Sequence, residues 1–148
     1  MGIELIIEAD DKSLIPKQAT NGSAGFDLRS NISTELKPRE RKLIPTGIRV
    51  VIPEGYNGEI RPRSGLANKS GITVLNSPGT IDSDYRGEIK VLLINLSFET
   101  YMIDKGDRIA QLVITPILIP HIKEVNEDEF NKITSKRGEG GFGSTGKE

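Results

Sequence analysis

Pro45-Thr46-Gly47-Ile48-Arg49-Val50-Val51-Ile52-Pro53-Glu54-Gly55-Tyr56-Asn57-Gly58-Glu59-Ile60-Arg61 decides the fold class of this chain. Gly47–Val50 and Asn57–Arg61 alternate between backbone-permissive or polar residues and β-branched ones, the period of a half-buried strand. Pro45, Pro53 and Gly55 stand too close together for a helix to run between them.

The same grammar extends in both directions. Prolines at 16, 38, 45, 53, 62, 78, 116 and 120 punctuate nearly the whole length. Between them lie short β-branched runs at 3–8, 26–29, 42–44, 48–52, 58–61, 72–74, 88–96, 101–103, 108–115 and 121–125. Many short strands joined by Gly, Pro and Asn turns predict an all-β sandwich or barrel. Residues 91–94 and 109–114 are continuously apolar and are expected to be the most buried strands. Two places suit a short helix: residues 64–69, which lack β-branched side chains, and residues 127–133, with Asn126 as cap. Past Thr134 the composition turns to glycine and charge, so we expect a domain over 1–134 and a flexible arm over 135–148.

Composition narrows the function classes. A chain of 148 residues suits one domain. With 35% hydrophobic and 5% aromatic residues its own core is thin, which favours burial between subunits. A net charge of −1 gives no global field toward nucleic acid or anionic membrane, so phosphate binding must come from local clusters. No cysteine is present, which removes disulfides, zinc–thiolate sites and a thiol nucleophile, and the single His121 argues against paired-histidine metal sites. The first 20 residues lack a basic start followed by an apolar run, and no apolar stretch approaches the roughly 20 residues of a membrane helix. An intracellular, cytoplasmic protein is expected.

Five segments carry chemistry. Ala24-Gly25-Phe26-Asp27-Leu28 sets one carboxylate inside an apolar strand, where burial requires a cation or donors. Pro62-Arg63-Ser64-Gly65-Leu66-Ala67 could open a helical turn whose free N–H groups bind an anion, with Ser64 adding a hydroxyl, Gly65 room and Arg63 charge. Asn76 through Gly87 could form an exposed hairpin whose backbone reads the edge of a flat base. Asn76 would assist with its amide, Asp82 is a candidate general base, and Tyr85 offers a ring for a sugar. Gly106 through Leu112 places polar Gln111 in an apolar strand. The tail from Arg137 joins a guanidinium, the ring of Phe142 and five glycines. Each segment taken alone also suits a bland role: a capped surface turn, an Asp-rich loop, a satisfied core amide or a frayed end.

The tail superficially fits two phosphate motifs, G-x-G-x-x-G and the P-loop. Both need a strand before and a helix after within a βαβ unit, and Ser144 stands where the P-loop requires lysine, so neither is expected.

In this order the five segments, at 24–30, 62–72, 79–95, 106–114 and 137–146, closely resemble the five signature motifs of the trimeric dUTP diphosphatases (dUTPases). The resemblance implies a homotrimer of jelly-roll-like β-clip subunits with sites at subunit interfaces, hydrolysing dUTP to dUMP and pyrophosphate with Mg2+. It implies that Asp82 activates the attacking water, that Tyr85 lies beneath deoxyribose, and that Asn76, Gly79, Thr80 and Ile81 read uracil. Lys90 would contribute mainly through its backbone, and Arg63, Ser64, Gly65 and Gln111 would contact phosphates. Asp27 would hold magnesium through water, Arg137 would meet the γ-phosphate, Phe142 would stack on uracil, and Gly143, Ser144 and Thr145 would complete the phosphate shell. Two alternatives stand beside it: a dCTP deaminase of the same architecture, and a nucleotide-binding regulator without catalysis.

Overall fold

The computed structural model describes residues 2–147. They form two units, Met1–Leu118 and Ile119–Glu148. The first holds eleven strands: β1 (Ile6–Ala9), β2 (Phe26–Arg29), β3 (Thr34–Leu36), β4 (Arg41–Pro45), β5 (Ile48–Val51), β6 (Tyr56–Arg61), β7 (Ile72–Val74), β8 (Gly79–Ile81), β9 (Lys90–Asn95), β10 (Tyr101–Ile103) and β11 (Arg108–Pro116). One α-helix, α1 (Ser64–Ser70), and a single 3-10 turn at Lys12–Leu14 interrupt them among the described residues. The chain is all-β, as its punctuation predicts.

All pairings are antiparallel. A four-stranded sheet runs β2-β11-β6-β8 and a three-stranded sheet β4-β9-β7, with two-stranded ribbons β1-β5 and β10-β3. Strand β11 lies inside the larger sheet, and its buried Ile109, Ala110, Leu112 and Val113 show that both its faces are covered. That explains its continuous apolar run. Strand β9 behaves differently: Val91 and Leu93 are buried, whereas Leu92 and Ile94 are only half-buried. An apolar run there covers one face of a sheet and part of the other.

Polar groups in the interior are paired. Asn95 is fully buried, donates to the carbonyls of Leu36 and Glu99 at 2.8 Å each, and accepts from the amide and hydroxyl of Ser97. It thereby joins β9 to β3 at no cost in unmet hydrogen bonds. Thr46, also buried, donates through both its amide and its hydroxyl to the Ile89 carbonyl.

Two expectations fail. Residues 121–125 are β-branched but form no strand, because the second unit offers no partner strand among the described residues. Strand β3 escaped prediction, since its three residues contain one buried apolar side chain, Leu36, and too little pattern to read. The second unit instead contains the helix α2 (Glu127–Asn131), capped by the Asn126 side chain, which accepts from the Glu129 amide at 2.9 Å.

Candidate functional site

The hairpin expected over Asn76 through Gly87 does not form, because β8 within it and β9 beyond it belong to different sheets. β8 pairs with β6, placing Gly79 opposite Ile60 and Ile81 opposite Gly58, whereas β9 pairs with β4 and β7. Residues 82–89 therefore carry the chain from one sheet to the other. A cleft of about 400 Å³ opens beside them, lined by the apolar Leu43, Ile60, Ile81 and Ile89 together with Asn76, Gly79, Thr80, Asp82, Tyr85, Glu88 and Lys90.

Several features make this cleft a plausible reader of a flat polar ring. β8 is an edge strand of its sheet, so one side of its backbone has no strand partner, and the same residues line the cleft. Gly79 lets that backbone sit close: a Cβ there would lie 3.2 Å from Ile60 Cβ and 3.4 Å from the Asn76 amide nitrogen. The Asn76 amide makes no hydrogen bond among the described residues. Asp82 is exposed and has no ion pair among the described residues, while its carbonyl accepts from the Tyr85 amide at 3.1 Å. The Tyr85 ring, 45% exposed, is tied down by its hydroxyl, which donates to the Glu88 carbonyl at 2.9 Å. Thr80 points outward and Ile81 inward from β8.

A second group lies on the other part of the same sheet. Pairing aligns Asp27 of β2 with Gln111 of β11, and Gln111 with Arg61 of β6. The Asp27 side chain, 17% exposed, has Arg108 Nη1 at 3.5 Å and Arg63 Nε at 4.0 Å. Arg63 also donates to the Arg108 carbonyl at 3.1 Å. These two cations answer the question of how a carboxylate survives in an apolar strand. Gln111 donates to the Pro62 carbonyl at 3.0 Å and lies over Gly25, where any side chain would strike its amide oxygen. Tyr101, in β10, has its hydroxyl pKa pushed up by burial, with Asp107 adding to the rise and Arg63 opposing it.

Arg63 is the extended N-cap of α1 and makes no side-chain cap. The amides of Ser64, Gly65 and Leu66 thus begin the helix without acceptors inside it, and the space above Gly65 is open. Gly71 ends the helix at φ +63°, its amide returning to the Ala67 carbonyl at 3.1 Å.

The remaining predicted residues belong to the second unit. Arg137 Nε donates to the Gly140 carbonyl, and successive turns close from Gly140 to Arg137, Ser144 to Gly141 and Gly146 to Gly143. Phe142 sits at φ +47° with its ring fully exposed, followed by Gly143 at φ +88°. Ser144 and Thr145 are exposed within these turns.

The structure thus assembles Asn76, Gly79, Thr80, Ile81, Asp82, Tyr85 and Lys90 in one cleft, while Arg63, Ser64, Gly65 and Gln111 do not line it. Sequence reasoning missed Arg108 as a partner of Asp27, although it stands three residues before Gln111. It also missed Leu43, whose place in the cleft follows only from the β4–β9 pairing. As a metal site, no group of three or more carboxylates or imidazoles converges among the described residues. Two arginines already offset the Asp27 carboxylate and repel a cation beside it, so a magnesium ion fits there only through its waters and with phosphate oxygens supplying the remaining negative charge.

The family model described as dUTPase matches residues 11–146. The deoxyuridine 5'-triphosphate nucleotidohydrolase of Wolbachia pipientis subsp. Culex pipiens (strain wPip) is 60% identical over 139 residues, covering 92% of this chain and 90% of that one. The enzyme of the same name from Nautilia profundicola is 57% identical over 142 residues, covering 96% and 97%. Among solved structures, a mutant Staphylococcus bacteriophage 80alpha dUTPase with dUpNHpp superposes with a TM-score of 0.86 at 32% identity, covering 97% of this chain and 98% of that one. A mutant dUTPase from phage phi11 of S. aureus, described with a structural Mg(II) ion, gives a TM-score of 0.78 at 29% identity, covering 84% and 98%.

Proposed function

The chain belongs to the dUTPase family, and on that premise we propose that it hydrolyses dUTP to dUMP and pyrophosphate. The observation that carries this reading is the cleft: an unpartnered strand edge with a free amide beside it, and a tyrosine ring and an exposed carboxylate in the same lining. The edge of β8 and Asn76 supply the mixed donors and acceptors that uracil presents in complement. Tyr85 forms a floor for deoxyribose, against which a ribose 2′-hydroxyl collides. Lys90 contributes through its backbone at the start of β9.

Asp82 accepts a proton from a water and aims it at the α-phosphorus. A P–O bond forms from that water, the bond from the α-phosphorus to its bridging oxygen breaks, and pyrophosphate leaves with the electron pair. Such a reaction needs positioning and charge neutralisation more than a protein nucleophile, which fits a chain without cysteine and with one histidine. Arg63, Ser64, Gly65 and Gln111 bind phosphate oxygens through side chains and free helix amides. Asp27 would hold a magnesium ion through water, and the ion would supply neutralisation of triphosphate charge.

The assembly is a homotrimer in which neighbouring chains bring the arginine group and the cleft together. Leu118, 96% exposed, and Phe98, 89% exposed, support burial between subunits. Residues 135–148 act as an arm on a neighbour's site, where Arg137 meets the γ-phosphate, Phe142 stacks on uracil, and Gly143, Ser144 and Thr145 finish the phosphate shell. Among the described residues no helix is long and apolar enough to cross a membrane. The enzyme acts on the cytoplasmic nucleotide pool, limiting uracil entry into DNA and supplying dUMP for thymidylate.

Pyrophosphate release measured side by side with dUTP, dTTP, dCTP and UTP tests the reading. Release confined largely to dUTP is expected. Ammonia from dCTP would establish a deaminase instead, and binding without turnover would establish a regulator.

A further inference from the structure

Gly87 has no backbone reason to be glycine, since it is absent from the residues with positive φ. What a side chain there would meet first is the Tyr85 ring. The three atoms nearest a Cβ built there all belong to Tyr85: its hydroxyl oxygen closest, then Cζ at 2.5 Å and Cε2 at 3.0 Å. The hydroxyl end of the ring thus occupies the space that a Cβ at position 87 would need. Gly79, the glycine that lines the cleft, is hemmed in by Ile60 and Asn76 instead.

Around this seat the ring is fastened at both ends. The Tyr85 amide donates to the Asp82 carbonyl at 3.1 Å, and the hydroxyl donates to the Glu88 carbonyl at 2.9 Å. Glu88 is itself bolted to the turn between β4 and β5. Its carboxylate accepts from the Gly47 amide at 3.1 Å, and the next residue exchanges backbone bonds with that turn, Ile89 amide to Ile48 carbonyl at 2.8 Å and Thr46 amide to Ile89 carbonyl at 3.2 Å. The anchor therefore stays in place if the ring is pushed. A methyl at position 87 must displace the ring, by about 1 Å to restore ordinary carbon–carbon contact.

We propose that Gly87 is a specificity-determining positioning residue: by lacking a side chain it lets Tyr85 lie at the height where a 2′-hydroxyl is excluded. The inference rests on the reading of Tyr85 as the sugar's floor. Gly87 touches no substrate and acts only through the ring.

Kinetics with dUTP and UTP on Gly87→Ala, Tyr85→Ala and the double variant separate the possibilities. Because misplacing a site group by about 1 Å can cost about a hundredfold, Gly87→Ala is expected to narrow the dUTP-over-UTP ratio of kcat/KM by about tenfold or more. The loss should fall on KM, with kcat for dUTP kept within about threefold. In the Tyr85→Ala background the added methyl has nothing to strike, so it should change the ratio by less than about twofold, the non-additivity expected of two residues acting as one. An unchanged ratio in Gly87→Ala, or equal losses in both backgrounds, overturns the proposal. If Tyr85→Ala itself leaves the ratio unaltered, the reading of Tyr85 falls and takes the proposal with it. If Tyr85→Ala collapses the ratio and Gly87→Ala does not, the proposal alone falls. Should Gly87→Ala prove insoluble, the double variant must fold as well as Tyr85→Ala, and its failure to do so is equally decisive against the ring-seat role.

Discussion

At the scale of single residues, the site depends on what stands beside each group more than on the group itself. Asp27 and Asp82 are the same side chain in opposite circumstances. Asp27 is largely buried and answered by two guanidinium groups, whereas Asp82 is exposed and unpaired among the described residues. The Asp82 carboxylate is thus open to a water, whereas that of Asp27 is already engaged by guanidinium groups. Asp82→Asn keeps the size and loses the base. It is expected to lower kcat by about 10²–10⁴-fold while dUTP still binds. Single-turnover kinetics with calorimetric titration measure both, and near-normal turnover would refute the role. Both carboxylates were legible in the sequence as candidates. Their difference was not, because the arginines reach Asp27 from residues 36 and 81 positions away.

At the scale of elements, turn chemistry governs much of the fold. The turn from β3 to β4 is closed by Glu40, whose carboxylate accepts from the Lys37 amide at 2.8 Å and lies 3.5 Å from Lys42 Nζ. The hydrogen bond from Lys37 holds the Glu40 pKa below its ordinary value, with the lysines adding to the effect against desolvation. A depressed carboxylate pKa gives stability that is present above the unfolded value and is lost as pH falls through the folded one. The melting temperature is thus expected to fall as pH is lowered from about 5 toward 3, and Glu40→Gln should make that fall shallower. Parallel curves for the two proteins would contradict the assignment. Elements with strong local chemistry were readable in advance: β2, β7 and β10 lie where their β-branched runs predict, and α1 and α2 begin at Ser64 and Glu127 as expected. Strand β8 was not, because Gly79-Thr80-Ile81 looks like part of a loop and becomes a strand only through pairing with β6.

At the scale of the molecule, the proposed catalytic groups are distributed rather than gathered. In the larger sheet β2, with Asp27, and β8, with the reading edge, occupy opposite sides of the order β2-β11-β6-β8. At about 4.8 Å per strand spacing that is on the order of 14 Å between them. Association of chains is the economical way to complete such a site. Truncation before Arg137 is expected to leave the mass of the proposed trimer intact by light scattering while reducing turnover by about a hundredfold or more, since in the proposed mechanism it removes charge stabilisation and water exclusion together. A truncated protein working at full rate would remove the arm from the mechanism.

By itself, the sequence determined the strand-rich class, the two short helices and the identity of the groups able to do chemistry, because these depend on local periodicity, caps and residue type. Only the tertiary structure decided that the segment from Gly79 to Lys90 bridges two sheets, that Asp27 meets Arg63 and Arg108, and that the Tyr85 ring takes the space a Cβ at Gly87 would need. Those outcomes follow from strand register and close approach between distant segments, and neither leaves a trace in local pattern.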